Sequence, residues 1–466
     1  MATNELGTKG PDTASESPRR SAGWALLSTS LGFGVVQLDV SVVNVAIKPI
    51  GADLGGGVSG LQWVVGAYTL AFAALILSAG ALGDRIGAKR MFIGGFALFT
   101  LASAACGLAP SLAVLIAARA VQGVGAAMLV PCSLSLLSHA YRDPRAQARA
   151  VGLWAAGASV ALAGGPLLGG ILTATLGWRS IFFINAPIGL AGILLTVRFA
   201  TETTRSADRG VDVPGQLTAI VALAALAGAM IEAGHYGFAA PLVLAGFGVA
   251  AVALAGFVII EGRRRRPMLP LNLFRIRTFS VSSAIGVVIN VAFYGLIFVL
   301  SLYFQDTRHY SALLTGLAFA PATVAVAAAN LTAGRLARLA GPRATLAGAA
   351  LLLAAGLGGM LVIGPGTGYP AIVVQFMAVG FGLGVIVPVV TAALLGSVDP
   401  SRSGLASGTL NTARQTGSVI GVGLFGSLAA GHLVSGLRLA LVISAGLALL
   451  VAGLAAGLRP EASPGA

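Results

Sequence analysis

Asp39 lies near the middle of an apolar run, in Gln37-Leu38-Asp39-Val40-Ser41-Val42-Val43-Asn44-Val45. A carboxylate at the centre of a membrane helix costs about 2.5–3.5 kcal/mol on insertion scales, so it is expected to face a cavity or a partner. Burial favours the neutral acid, and a neighbouring cation favours the anion. A carboxyl balanced between the two can take a proton from one side of a membrane and release it to the other. Arg119, in Leu115-Ile-Ala-Ala-Arg119-Ala-Val-Gln122-Gly123-Val-Gly125, is the matching cation, near the middle of another run. It stays charged in a protein. Its expected role is to hold Asp39 ionised until a proton or a cationic substrate arrives. The plainer alternative is a static ion pair that only fixes helix packing.

A second set of side chains could line a substrate cavity. Asn290, Tyr294 and Phe298 recur at i, i+4 and i+8, which puts them on one helix face as a mixed polar and aromatic surface. Gln37, Asn44, Asn411, Arg414 and Gln415 are further candidates, and Asn330 and Gln375 sit in similar runs. Interhelical packing competes with a binding role for each. Gly157, Ala161, Gly165 and Gly169 form an i+4 stripe with Pro166 and Gly170 beside it. Such a stripe lets two helices approach backbone to backbone, and Pro166 removes a hydrogen bond and kinks its helix. His235 and His432 fall near outer loops, where simple exposure is expected, and Glu232 borders the outer end of the seventh run, where a coupling role is the lesser of its two readings. Cys106 and Cys132 show no metal-ligand or disulfide spacing and read as small buried hydrophobes.

The elements that must position these residues follow from composition. Of 466 residues, 57% are hydrophobic and 9% charged, against about 25% charged in soluble domains. Apolar runs fall at about 24–47, 61–82, 91–108, 111–137, 146–176, 181–199, 213–233, 238–260, 279–304, 311–339, 344–363, 369–395, 403–433 and 435–458. Each can cross a hydrocarbon core about 30 Å thick. The expected fold class is an all-α polytopic membrane protein with fourteen transmembrane helices.

Charge sets the orientation. With both termini cytoplasmic, 23 of the 29 Lys and Arg fall on that side. Lys48, Arg179, Arg308 and Arg438 fall on the other, and Arg119 and Arg414 lie inside spans. That split follows the positive-inside rule, and an odd number of spans would scramble it. The formal net charge of +14 therefore reports topology. It does not point to nucleic acid, because there is no basic stripe and no interleaved aromatics. Residues 1–22 read as a disordered cytoplasmic tail and 459–466 as a second tail. The first run is too long for a signal-peptide core.

The segment Gly80-Ala-Leu82-Gly-Asp84-Arg85-Ile-Gly87-Ala-Lys89 is echoed by Gly334-Arg-Leu336-Ala-Arg338-Leu-Ala-Gly341-Pro-Arg343. Gly, Leu, Gly and a basic residue match at a fixed offset. The echo pairs an N-terminal six-helix half (23–199) with a C-terminal one (279–458) and leaves two inserted helices with their linkers in 200–278. Two parallel-related halves are a transporter architecture, with the substrate site between them near the midplane.

These segments resemble a known group. The Gly80–Arg90 loop is similar to the signature loop of the major facilitator superfamily, and the Arg119 segment is similar to its fourth-helix motif. The Gly157–Gly170 block resembles the fifth-helix motif found in antiporters of that superfamily. The Asp39 segment resembles the Leu-Asp-x-Thr-x-Val-Asn-Val-Ala pattern of the fourteen-span drug:proton antiporter family. Ser41 stands here where Thr is usual, and Lys48 where that pattern has Pro. Trp178-Arg-Ser-Ile-Phe-Phe-Ile-Asn185-Ala-Pro187-Ile-Gly189 and Asn411-Thr-Ala-Arg414-Gln415-Thr-Gly417 are also similar to that family. Actinobacterial antibiotic exporters of the methylenomycin-resistance type are the nearest group, and the resemblance runs from about Trp24 to Leu458.

The resemblance implies a major facilitator fold in which Asp39 is a proton or cation site and Arg119 supports coupling. It implies that Gly157, Gly165, Pro166, Gly169 and Gly170 seal the interface between halves. It makes Gly80, Asp84, Arg85, Gly87 and Lys89 a conformational latch onto the cytoplasmic ends of other helices.

The function expected is proton-coupled export of a small-molecule drug or antibiotic from the cytoplasm, by a monomer in the plasma membrane. No resident cofactor or metal is expected, since the proton gradient is the drive. The alternatives are a transporter of one endogenous metabolite, whether exporter or uptake symporter, and a membrane sensor without flux. No Gly-x4-Gly-Lys-Ser/Thr loop is present to suggest ATP. The fifteen Asp and Glu are scattered, which argues against an enzyme acting on lipid.

Overall fold

The computed structural model describes residues 18–141, 143–203, 212–264, 267–399 and 403–458, and these are helical almost throughout. The helices are α1 (Pro18–Leu54), α2 (Gly57–Ile86), α3 (Ala88–Gly107), α4 (Leu112–Ala140), α5 (Pro144–Leu176), α6 (Ser180–Phe183) and α7 (Asn185–Phe199). They continue as α8 (Val213–Tyr236), α9 (Pro241–Arg263), α10 (Arg277–Leu302), α11 (Ala312–Gly359), α12 (Pro370–Gly396), α13 (Ser403–Ala429) and α14 (Leu433–Ala455).

Twelve of the described helices are long and apolar enough to span a membrane, with α6 and α7 counted together as one of them. Two physical details bring the passes to fourteen. Within α11 the chain turns at Gly341, whose φ of 79° is open to glycine at no steric cost. Both arms of α11 then lie against α12. Gly380 meets the Ala322 backbone on one arm, and Gly382 meets Ala349 and Leu353 on the other. The remaining pass is α13, whose Asn411, Arg414 and Gln415 lower its hydropathy.

α1 begins at Pro18, inside the tail expected over 1–22. Proline suits the first helical turn, where its fixed φ is already helical and its missing N–H is not needed. The rest of that tail (1–17) and the tail at 459–466 lie outside the described residues.

α1 packs on α5, α4 and α7, and α2 and α3 pack on α4, forming one group. α10 packs on α13 and α14, and α11 on α12 and α14, forming the second. The sequence echo has a geometric counterpart. Gly87 (φ 107°) and Gly341 (φ 79°) are both left-handed turning points. Two residues beyond each, a basic side chain reaches the last helix of its own half. Lys89 Nζ donates to the Val197 carbonyl at 2.9 Å, and Arg343 Nε donates to the Leu458 carbonyl just beyond α14.

The inserted pair is unequal. α9 packs mainly on α8 and is only 11% buried over its span window, as befits a helix facing lipid. α8 instead lies along the crossing of α2 and α13. Gln216 Nε2 donates to the Ala74 carbonyl of α2 at 2.6 Å. At the other end of α8, a Cβ on Gly234 would sit 2.8 Å from the Ser427 backbone of α13.

The two groups meet along two seams. On the α2–α13 seam, Gln62 Nε2 donates to the Val422 and Gly423 carbonyls, both at 2.9 Å. On the α5–α11 seam, Thr323 Oγ1 donates to the Ala163 carbonyl at 2.6 Å. A Cβ on Gly170 would lie 2.7 Å from the Ala312 carbonyl, and Gly316 abuts the Pro166 carbonyl. These contacts lie toward the end of the bundle that carries Lys48 and Asp306. Gly152 and Gly334, toward the basic end of the same two helices, have nothing within 4 Å.

Candidate functional site

Four elements bring their polar residues to one buried point. α1 supplies Asp39, α4 supplies Arg119 and Gln122 one turn apart, α3 supplies Ser103, and the start of α7 supplies Asn185. Asn185 reaches in because the sixth span is broken there. Pro187 is the third residue of α7 and cannot donate into a continuous helix, so α6 stops at Phe183 and α7 restarts at Asn185. Gly123 lets α4 approach α2 closely, with the Tyr68 carbonyl against its Cα.

Asp39 is fully buried and Arg119 is 1% exposed. Arg119 Nη1 pairs with Asp39 Oδ2. Asp39 Oδ1 accepts from Gln122 Nε2 at 2.8 Å and from Asn185 Nδ2 at 3.0 Å. The donors are held in turn. Asn185 Nδ2 also donates to Ser103 Oγ at 2.9 Å, and Ser103 Oγ donates to the Phe182 carbonyl at 2.8 Å. Arg119 donates to the Val64 carbonyl at 3.1 Å and to Gln122 Oε1 at 2.8 Å, and its guanidinium lies 4.2 Å over the Tyr68 ring. A carboxylate accepts from all of these donors at once. Oδ1 is taken by two donors and Oδ2 by one, so Oδ2 keeps a lone pair on which a proton can be bound.

Asp39 and Arg119 are thus brought together as their types and depths suggested. Gln122, Asn185 and Ser103 had been given no role. Gln122 shares the face of Arg119 at i+3, and Asn185 stands beside the helix-breaking Pro187; both could have been read. Nothing in the sequence marks Ser103.

The cavity candidates separate into two groups. Gln37, Asn290, Asn411 and Arg414 are partly exposed at mid-depth. Asn44, Tyr294 and Phe298 are not: their exposures are 1%, 4% and 0%. The expected polar and aromatic face of α10 is therefore packed rather than open, apart from Asn290. The reason is that α10 is wedged between α13, α14 and α1 and is 83% buried over its span window. Asn44 is taken up in that contact, its carbonyl accepting from Ser301 Oγ at 2.6 Å. Gln415 is buried with Oε1 unpartnered. Arg414 bridges α13 to α12, where its Nη2 donates to Thr391 Oγ1 at 2.6 Å and to the Val387 carbonyl at 3.2 Å. An apolar cavity of about 70 Å3 opens on the opposite face of α10, lined by Leu162, Pro166, Phe293, Phe319 and Phe376 among others.

The α5 block divides its contacts. Gly165 and Gly169 receive Ser41 and Val42 of α1, and Gly157 lies 3.9 Å from Ser30. That part of the stripe packs inside one half. Gly170 and the Pro166 carbonyl are the members that face the other half. The expected loop segment is helical up to Ile86: at the end of α2, Gly80 packs on Pro131 and Gly83 on Cys132 of α4, and Asp84 and Arg85 lie in the last turn. The Lys89 backbone N–H donates to Glu202 Oε1 at 2.9 Å. Its side chain reaches the end of α7, so these contacts stay within the first half. Cys106 and Cys132 are buried and free. Glu232 accepts from Ser59 at 3.5 Å, and His235 and His432 are exposed.

Lys48 has a partner that explains its departure from the family pattern. Its Nζ lies 2.7 Å from Asp306 Oδ1 and donates to the Gln305 carbonyl at 2.7 Å, tying α1 to the segment after α10. Both side chains are nearly half exposed, so the pair is worth at most about 1 kcal/mol. Lys48→Glu is expected to lower transport about two- to fivefold through like-charge repulsion. Adding Asp306→Lys is expected to restore it. Initial rates for the single and double variants check this, and a double variant no better than the single one would remove the pair from the closure.

Residues 29–422 match the family model described as Major Facilitator Superfamily. The chain is similar to the methylenomycin A resistance protein of Streptomyces coelicolor, at 39% identity over 94% of this chain and 93% of that one. It is similar to the multidrug resistance protein Stp of Mycobacterium tuberculosis, at 37% identity over 88% of this chain and 76% of that one. Among solved structures, the human organic anion transporter MFSD10 has a similar fold (TM-score 0.65, 18% identity, 94% of this chain and 100% of that one). Sequence match, fold and the arrangement of two six-helix groups agree: this multi-pass membrane chain belongs to the major facilitator superfamily.

Proposed function

We propose that the chain is a proton-coupled antiporter that exports drugs or antibiotics across the plasma membrane by alternating access, with both termini cytoplasmic. The observation that carries the proposal is the buried Asp39 carboxylate, held by Arg119, Gln122 and Asn185 at mid-depth in the first half. A site that alternately binds and releases a proton needs its ionised form stabilised. The names of the relatives, which are those of antibiotic and multidrug resistance proteins, support the export direction.

In this reading the seams are closed at the outer end, by Lys48 with Asp306 and by Gly170 and Gly316, and the protein faces inward. After the halves rock, a proton from outside binds Asp39, and substrate leaves. Gly80, Asp84, Arg85, Gly87 and Lys89 form the cytoplasmic latch of the alternate state. One proton entering down 100 mV releases about 2.3 kcal/mol, enough for about a 50-fold gradient of a neutral solute. Protons supply the drive and a monomer suffices, with neither cofactor nor metal taking part.

The test is accumulation of anionic, neutral and cationic antibiotics and dyes in cells with and without the protein. Lower accumulation of at least one compound, reversed by an uncoupler, is expected. Exclusion that survives the uncoupler would remove the proton, and no exclusion at all would remove the exporter.

A further inference from the structure

We propose that the cargo is an organic anion, a molecule whose carboxylate or equivalent acidic oxygens are held by Arg414. The inference rests on the export reading and adds to it the charge class of what is exported.

Three formally charged side chains lie deep within the described spans: Asp39, Arg119 and Arg414. The first two cancel. Asp39 accepts from Arg119, whose Nε and Nη1 also donate to the Val64 carbonyl and Gln122 Oε1. Arg414 has no such partner. Its Nη2 is engaged by two neutral acceptors, the Val387 carbonyl and Thr391 Oγ1. Its Nε is buried with no acceptor. Among the described residues, nothing accepts from Nη1 either. Among the described residues, no Asp or Glu forms an ion pair with it.

The elements around Arg414 confirm that no acid faces it. α10 presents Gly286, whose Cβ would lie 3.6 Å from the Arg414 side chain, together with Tyr294. α12 presents Val387 and Thr391. On α13 itself Asn411 and Gln415 stand beside it, and Gln415 Oε1 is also unpartnered. The mid-membrane interior therefore carries one uncompensated positive charge.

A charge in this position is costly, and such residues in membrane spans mark substrate or ion pathways. The cost decides among cargoes. A cation would meet like charge. A neutral molecule would leave the guanidinium as it is. An anion would supply the missing acceptor to a planar fork suited to carboxylate, through charge-assisted hydrogen bonds. The partial exposure of Arg414, Asn411 and Asn290 leaves that side of the guanidinium approachable.

Three probes with the same rings and different charge test this: naphthoate, naphthamide and naphthyltrimethylammonium. Binding is read from the shift in unfolding temperature of the purified full chain in lipid nanodiscs, and export from accumulation in cells. The wild type is expected to respond to naphthoate at concentrations about tenfold below those needed for the other two. Arg414→Lys is expected to keep the order of preference. Arg414→Gln is expected to bind naphthoate and naphthamide within about twofold of each other. A merely structural Arg414 would lower the unfolding temperature of Arg414→Gln yet leave its ligand preference for the acid intact, and that result overturns the proposal.

A wild type that prefers the cation overturns it without any variant. If the cation is exported and naphthoate is neither bound nor exported, the anion site falls and the exporter stands. If naphthoate binds through Arg414 but is not moved, the site stands and the export reading falls.

Discussion

Asp39→Asn is expected to reduce proton-driven export by more than about a hundredfold and to lower the stability of the protein. The two effects have separate causes. Asparagine cannot alternate between charged and neutral forms, so coupling through this position ends. It also leaves Arg119, which is 1% exposed, as a buried cation without its counter-ion. Breaking one side of a buried pair costs about 3–5 kcal/mol. Asparagine can keep an oxygen on the Gln122 and Asn185 donors only by turning its N–H2 toward Arg119, donor against donor.

The double variant Asp39→Asn/Arg119→Gln separates these causes. It removes the stranded charge, so its unfolding temperature is expected to recover most of the loss. Its export is expected to remain absent. Substrate-induced proton movement in proteoliposomes, read with a pH-sensitive dye, measures coupling directly. Wild-type proton movement in Asp39→Asn would make the carboxylate structural and send the search for coupling elsewhere.

Gly316→Leu is the second substitution with a large expected effect. Gly316 of α11 abuts the Pro166 carbonyl and has Leu167 Cα 3.2 Å from where a Cβ would sit. Gly170 of α5 answers it with the Ala312 carbonyl at 2.7 Å. The obstacles are backbone atoms, so no side-chain rotation relieves a larger residue. Overpacking of this kind costs about 1–3 kcal/mol, and here the cost falls only on states in which the seam is closed at this end. The equilibrium is expected to shift about 5- to 150-fold toward states open at this end. Export is expected to fall accordingly, while an introduced thiol at Ser311 becomes more reactive to a polar reagent. Gly446→Leu on α14, where nothing lies within 4 Å, is the control and is expected to behave as wild type. Unchanged thiol reactivity in Gly316→Leu would mean the seam does not open at this end during the cycle.

Much of this architecture was legible because lipid imposes simple rules. Run length gave the spans, and the echoed loops gave the relation between halves. The left-handed Gly87 and Gly341 show why glycine recurs at those two places. Asp39 and Arg119 were legible because charge at mid-depth is rare and opposite charges there attract each other. The remainder of the site was less so. Asn185 and Ser103 come from α7 and α3, and their meeting with Asp39 depends on how four helices pack, which periodicity does not encode. The same limit explains Phe298 and Asn44. A shared helix face was visible, but whether it met a cavity or the neighbouring helices α13, α14 and α1 was not. Likewise the glycine stripe of α5 announced close packing without saying that most of it faces α1.

α8 has a consequence for how the halves can move. Because it packs on α2 from one half and α13 from the other, the two seams are not mechanically equivalent. The α5–α11 seam has two surfaces to part. The α2–α13 seam has a third helix bonded across it, through Gln216 at one end and the close Gly234–Ser427 approach at the other. Separating the halves there breaks two interfaces instead of one. The least costly motion is then a lopsided swing that widens along α5 and α11 and pivots near α8, so that cargo enters and leaves along one flank of the molecule.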